Sequence, residues 1–163
     1  MEKGFVQVYS GEGHGKSAAA LGRAIQVASA GRDVVMINFL KGCQNEEFLK
    51  RLEPEIKIFR FEKSEEEFAQ LSDERKQDEI CNIKNGLNFA KKVLTTGECG
   101  LLILDEVLGL IDNGIITIDD LRHILEAGSE DVDIILTGKQ LNDDVCQLAD
   151  EIIKIESVNY RIY

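Results

Sequence analysis

Short apolar runs recur along the chain, separated by longer stretches in which apolar residues return every three or four positions. The runs are Phe5–Tyr9, Val34–Leu40, Ile56–Phe61, Leu101–Leu104, Ile134–Leu136 and Ile152–Ile155. Largely continuous, with little alternation of apolar and polar residues, they predict parallel strands covered on both faces. The stretches between them read as helices. Ala18–Ala28 is rich in alanine and so able to pack closely. Ser72 precedes a segment from Asp73 to Leu94 in which Ile80, Ile83, Leu87, Ala90 and Leu94 share one helical face. Ser64-Glu65-Glu66-Glu67 and Thr117-Ile118-Asp119-Asp120 each match a capping box, in which a hydroxyl and a later acid satisfy orphan amides. Asn142 caps Asp143 to Asp150. Strands alternating with helices predict an α/β fold: a doubly wound, mostly parallel sheet of about six strands. Ligands of such sheets bind at the carboxyl ends of the strands.

Composition narrows the setting. The 163 residues suit one domain, taken as 1–163, with no internal repeat and a single proline. A net charge of −11 argues against a nucleic-acid partner, since backbone binding there is driven by lysine and arginine. No apolar run approaches the roughly 20 residues that span a bilayer. Met1-Glu2-Lys3 leads directly into the first strand with no secretory h-region. The cysteines, Cys43, Cys81, Cys99 and Cys146, are scattered and form no metal-binding pair. Isolated thiols of this kind suit a reducing, cytoplasmic setting.

The chemistry concentrates after the first strand, at Gly11-Glu12-Gly13-His14-Gly15-Lys16-Ser17. Glycines let the backbone curl so that several N–H groups face one anion, and the following helix adds the positive end of its dipole. Lys16 brings a mobile charge to the outer phosphates of a nucleoside triphosphate, and the Ser17 hydroxyl suits Mg²⁺. The general pattern wants glycine where this chain has Ser10. His14 either donates to a phosphate or merely covers the loop. Asp105 and Glu106 end an apolar strand, where burial demands a partner or a cation. Asp105 is the natural Mg²⁺ partner of Ser17, and Glu106 a further metal-binding, polarising or positioning carboxylate; an ordinary strand terminus is the plain alternative. Lys41-Gly42 and Thr137-Gly138-Lys139 hold carboxyl-end positions that turn chemistry alone also explains. His123 reads as a surface or packing residue, and Glu65-Glu66-Glu67 as a solvated helix start.

Taken together, these pieces resemble the P-loop ATP:corrinoid adenosyltransferases. Ser10-Gly-Glu-Gly-His-Gly-Lys-Ser17 followed by Ala-Ala-Ala-Leu-Gly22 is similar to the family's Thr-Gly-Asn-Gly-Lys-Gly-Lys-Thr-Thr-Ala-Ala-x-Gly, hydroxyl residue in first position included. Asn38-Phe-Leu-Lys-Gly42 resembles Gln-Phe-x-Lys-Gly, and Leu104-Asp-Glu106 the family's Leu-Asp-Glu. Leu136-Thr-Gly-Lys139 resembles Ile-Thr-Gly-Arg, and Leu148-Ala-Asp150 the family's Leu-Ala-Asp. The likeness runs from about residue 4 to about residue 156, in order and spacing.

The resemblance implies a RecA-like P-loop NTPase architecture. It implies attack of a corrinoid Co(I) on the ribose 5′-carbon of ATP, with expulsion of triphosphate. Such a reaction needs no side-chain nucleophile; it needs reactants held in line and charge stabilised on the leaving group. Lys16, the loop amides, and Mg²⁺ at Ser17 with Asp105 or Glu106 would supply this, Lys16 and Glu106 being the catalytic pair. ATP, Mg²⁺, a reduced corrinoid, a flavoprotein electron donor and a homodimer follow from the same likeness. The chain departs from the pattern at His14 (lysine in the family), Ala18 (threonine) and Gln26 (arginine). It lacks the family's Phe-x-Trp pair, with Phe68 alone nearby, and the Lys-His and glycine-rich tail has no counterpart before Tyr163. Two other readings stay open: an ATP-binding relative serving as a corrinoid sensor, chaperone or interaction module, and a P-loop ATPase or kinase that uses Glu106.

Overall fold

The computed structural model describes residues 4–13, 15–40, 46–62 and 66–161. His14, Lys41, Gly42, Cys43, Ser64 and Glu65 lie outside them. The strands are β1 (Val6–Ser10), β2 (Val34–Asn38), β3 (Ile56–Arg60), β4 (Leu101–Asp105), β5 (Asp133–Gly138) and β6 (Glu151–Lys154). They form one sheet in the order β3-β2-β4-β5-β1-β6, every neighbouring pair parallel. The helices are α1 (Gly15–Ser29), α2 (Glu46–Leu49), α3 (Asp73–Thr96), α4 (Val107–Asp112), α5 (Ile118–Glu126) and α6 (Asp143–Leu148).

The apolar runs divide by the two-residue period of a strand. Val35, Ile37, Leu102, Leu104, Ile134 and Leu136 join one core with residues of α3, α4, α5 and α6. Their neighbours Val34, Met36, Leu101, Ile103 and Ile135 join the other, against α1. An unbroken apolar sequence is therefore what a strand with two dry faces requires. On α1 the buried positions are Lys16, Ala20 and Ala24, spaced by four. Two alanines bring the helix close to the sheet, and the lysine shares their face at the end nearest the loop.

Local signals end the helices as expected in most places. The Ser72 hydroxyl accepts from the Arg75 amide at the start of α3, and Gly97, left-handed at φ 65°, closes it by donating to the Val93 carbonyl. Thr117 and Asp120 form a full capping box at α5, and the Asn142 side chain accepts from the Val145 amide at α6. The Leu148-Ala-Asp150 motif has a structural use: the Val6 amide donates to the Asp150 carboxylate at 2.8 Å, and the Asp150 amide returns to the Val6 carbonyl at 2.8 Å. This exchange aligns β6 beside β1.

Two expectations change. No helix runs through Glu66-Glu67: Glu67 is extended, and a single 3₁₀ turn follows at Phe68–Gln70. Glu67 thus precedes a 3₁₀ turn and no α-helix, Glu66 pairs with Arg75 at 3.3 Å, and Ser64 and Glu65 lie outside the described residues. On α3, Glu79 is buried where Ile80 was expected, Ile80 being only partly covered.

Where β5 passes α4, a Cβ added to Gly138 would lie 2.3 Å from the Leu108 Cβ. A Cβ on Gly22, within α1, would meet nothing within 4 Å. Opposite signs follow. Gly138→Ala should destabilise the fold by about 1–3 kcal/mol through overpacking, whereas Gly22→Ala should stabilise it by about 0.5–1 kcal/mol through helix propensity. Urea unfolding followed by circular dichroism measures both; equal midpoints for the two variants would contradict this packing.

Candidate functional site

The phosphate loop connects β1 to α1 at the carboxyl edge of the sheet. Ser10 is still a strand residue, in register with Gly138 on one side and Lys154 on the other. It needs no glycine freedom, which accounts for the departure from the general loop pattern. Of the glycines that follow, Gly11 is required by close approach to backbone, and Gly13 and Gly15 sit tightly against side chains. A Cβ on Gly11 would fall 2.2 Å from the Ile155 carbonyl oxygen, on Gly13 2.9 Å from the Ser157 Oγ, and on Gly15 3.0 Å from the Ile155 Cγ2. The chain leaving β6 thus backs the loop.

Behind the loop, Asp105 at the end of β4 has no exposed surface. Its Oδ1 accepts from the Ser17 hydroxyl at 3.0 Å and from the Thr137 hydroxyl at 2.6 Å. The Thr137 oxygen in turn accepts from the Glu106 amide at 2.8 Å. One hydroxyl on β5 therefore holds both the carboxylate and the backbone turn that follows it. That turn is left-handed: Glu106 has φ 63° and ψ 19°. Among the described residues, Glu106 and Leu40 are the non-glycine residues with positive φ. Both line the same cavity, and strain of this kind, roughly 1–3 kcal/mol per residue, gathers at functional sites.

Glu106 aims its carboxylate at the loop. Its Oε1 lies 2.9 Å from Lys16 Nζ, with the two side chains only 13% and 5% exposed. Lys16 Nζ also donates to the Gly13 carbonyl at 3.3 Å. The lysine is therefore drawn back across its own loop and neutralised by a carboxylate from the next strand but one.

The cavity in front of this pair has a volume of about 700 Å³, within the size range of small-molecule sites. It starts at Glu12 and Gly13, passes Lys139 beyond β5 and Glu106 beyond β4, and reaches Leu40 beyond β2 and Glu62 and Phe68 beyond β3. From β1 to β3 is four strand spacings, roughly 19 Å. Of the residues expected from the sequence, Glu12, Gly13, Lys16, Ser17 and Glu106 line it, Gly11, Gly15 and Asp105 stand behind it, and His14 is outside the described residues. Glu62 and Asp112 carry no motif and were not anticipated, and Glu67 was expected only in a capping pattern. Asp112 sits one and a half turns beyond Glu106 on α4, and its carboxyl is pushed above the usual carboxylate range by burial and then by the Glu106 charge.

No histidine or cysteine is among the described lining residues. Cys99 is buried elsewhere, and that burial pushes its thiol up to about 11, so it stays protonated at neutral pH. His123 is exposed on α5. The described residues contain no cluster of three or more metal-ligating side chains. No described helix is long and apolar enough to cross a membrane.

Known proteins share both sequence and fold with this chain. The sequence model of the family described as ATP:corrinoid adenosyltransferase BtuR/CobO/CobP matches residues 2–162. A corrinoid adenosyltransferase of Pseudomonas aeruginosa is 25% identical over 162 residues, covering 98% of this chain and 78% of the relative. One from Escherichia coli K12 is 24% identical over 159 residues, covering 98% and 80%. Among solved structures, the KaiC-like protein PH0186 from Pyrococcus horikoshii OT3 superposes with a TM-score of 0.59 at 16% identity, over 97% of this chain and 74% of that one. The last likeness concerns the fold, a P-loop NTPase sheet with flanking helices. With the family match spanning nearly every residue and the loop, the Leu-Asp-Glu strand end and the β5 threonine assembled at one edge, the chain belongs to the ATP:corrinoid adenosyltransferase family.

Proposed function

We propose that this protein transfers the 5′-deoxyadenosyl group of ATP to the Co(I) centre of a corrinoid and releases triphosphate. The observation that carries the reading is the Lys16–Glu106 pair at one end of a cavity long enough for two substrates. In the step, the cobalt electron pair forms a bond to the ribose 5′-carbon. The C5′–O bond breaks, and its electrons leave on the triphosphate. No side chain has to attack or abstract a proton.

The work left to the protein is orientation and stabilisation of a leaving group that gains negative charge. The loop amides and the first turn of α1 face the phosphates, and Lys16 moves from Glu106 to the departing oxygens. The hard oxygens of Ser17 and Asp105, held 3.0 Å apart, fit Mg²⁺ better than a softer metal, with the remaining positions left to phosphate and water. Bound there, Mg²⁺ would supply charge neutralisation on the triphosphate. Glu106 then acts as the resting partner of Lys16, positioning it between turnovers. The same reading treats residues 1–163 as one nucleotide-binding domain. It also carries a cytoplasmic setting, a flavoprotein electron donor and a homodimeric assembly.

Incubation with ATP, Mg²⁺ and chemically reduced cobalamin tests the reaction. A shift in corrinoid absorbance with triphosphate as the product is expected. Orthophosphate instead would identify a hydrolase, and tight ATP binding with neither product a binding module. Lys16→Ala should weaken ATP binding by about 100-fold or more, since a charge-assisted phosphate contact is lost; calorimetry showing unchanged affinity would remove the loop from the mechanism. Glu106→Gln should have two effects of opposite sign. ATP should bind a few-fold tighter because Lys16 loses its competing counter-charge, while turnover should fall by about 10-fold as the lysine loses its position. A variant with wild-type rate and affinity would exclude that role.

A further inference from the structure

The carboxyl ends of the central strands carry polar residues that face α1. Val34 and Met36 on β2, and Leu101 and Ile103 on β4, pack on the α1 side of the sheet. Strand alternation therefore places Asn38 and Asp105 on that side too, in register with each other. Thr137 flanks Asp105 from β5, and Asn38 flanks it from β2. The Thr137 hydroxyl is committed twice, donating to Asp105 and accepting from the Glu106 amide. Asn38 differs. The residue is only 5% exposed, and its Oδ1 is buried with no hydrogen-bond partner among the described residues. Nor is its backbone free to swing towards one. The Asn38 carbonyl accepts from the Phe61 amide at 3.3 Å, and the next amide, of Phe39, donates to the Asp105 carbonyl at 3.0 Å. The Phe39 side chain is wholly buried in the core on the opposite face. The sheet thus holds an unsatisfied acceptor beside the buried carboxylate, at the cost of desolvating that oxygen.

Resting on the assignment of Mg²⁺ to Ser17 and Asp105 above, we infer that Asn38 is an outer acceptor of the metal site, its Oδ1 taking a hydrogen bond from a water carried by the ion. Mg²⁺ dehydrates reluctantly and keeps several waters, whose hydrogens it polarises and which need acceptors. Of the two side chains that flank Asp105 within the sheet, Thr137 already accepts from Glu106, which leaves the Asn38 oxygen for this purpose. An amide suits the place because it accepts without adding a negative charge that would repel the phosphates. Asn38 is then a positioning residue: it touches the ion's water, and through it fixes where the ion stands against the triphosphate.

The test reads the factor by which Mg²⁺ tightens binding of the β,γ-methylene analogue of ATP to the full chain, from calorimetry in Mg²⁺ and in EDTA. Asn38→Leu, close to asparagine in size, should cut that factor by about 10-fold or more and leave the affinity in EDTA unchanged. Its melting temperature without ligand should be no lower than that of the wild type, since an apolar group replaces an oxygen that had no partner. Asn38→Asp keeps an acceptor at the same reach and should retain the factor; it decides the matter if Asn38→Leu folds poorly. A factor unchanged in Asn38→Leu, or lost in Asn38→Asp, would overturn the inference. So would an equal loss of affinity in EDTA, which would put Asn38 on the nucleotide and not on the metal. Asp105→Asn tests the assignment beneath. If that variant keeps a wild-type factor, or the wild type shows none, the metal assignment fails and the inference with it. If Asp105→Asn loses the factor and Asn38→Leu does not, the assignment stands and only the role of Asn38 falls.

Discussion

A carboxylate removed wholly from water must be compensated where it sits, and Asp105 is compensated by two hydroxyls drawn from different elements. Ser17 comes from the first turn of α1, Thr137 from the end of β5, and Asp105 itself from β4 in the middle of the sheet. The requirement to satisfy one buried oxygen therefore sets how far α1 can stand from the sheet and how β4 and β5 end beside each other. It also settles the next residue. Because Thr137 accepts from the Glu106 amide, the chain turns sharply after Asp105 and directs the Glu106 side chain towards the loop. Alanines at 20 and 24 are small enough to let the helix meet that distance.

The second consequence is electrostatic. A lysine 5% exposed would be costly without a partner, and Glu106 supplies one at 2.9 Å. Breaking one side of a buried pair costs about 3–5 kcal/mol. The lysine charge is thus kept in the folded protein at a tolerable energy, and on the proposed reading it exchanges one set of anionic oxygens for another. The cavity then runs away from this point across the carboxyl ends of five strands.

Most of this scaffold was legible in the sequence because it rests on local and repetitive signals. Continuous apolar runs identified all six strands to within a residue or two, and the glycines and Lys16 located the loop that opens onto the cavity. The Asp105 side chain could be singled out because a charge at the tip of an apolar strand is conspicuous. What escaped were contacts made between crossovers. Thr137 looked like turn chemistry, since nothing in its neighbourhood announces that β5 lies against β4. Asp112 and Glu62 belong to no motif and meet only because α4 and the segment after β3 fold over the same edge. Glu66 and Glu67 matched a capping pattern, yet no described helix begins there; Arg75, nine residues on, gives Glu66 a partner that the local pattern cannot reveal. On α3, a buried Glu79 displaced Ile80 from the expected face by one position, a rotation too small for periodicity to resolve.

The left-handed backbone at Glu106 also shapes how this family member can change over time. Glycine, asparagine and aspartate relieve a positive φ, so drift at this position is drawn towards residues that stabilise the turn. Each of them is too short, or lacks the charge, to reach Lys16 as glutamate does. On the proposed reading, folding and nucleotide handling therefore pull position 106 in opposite directions. A lineage in which that proposed role lapsed would lose this residue early, gaining stability as it did so.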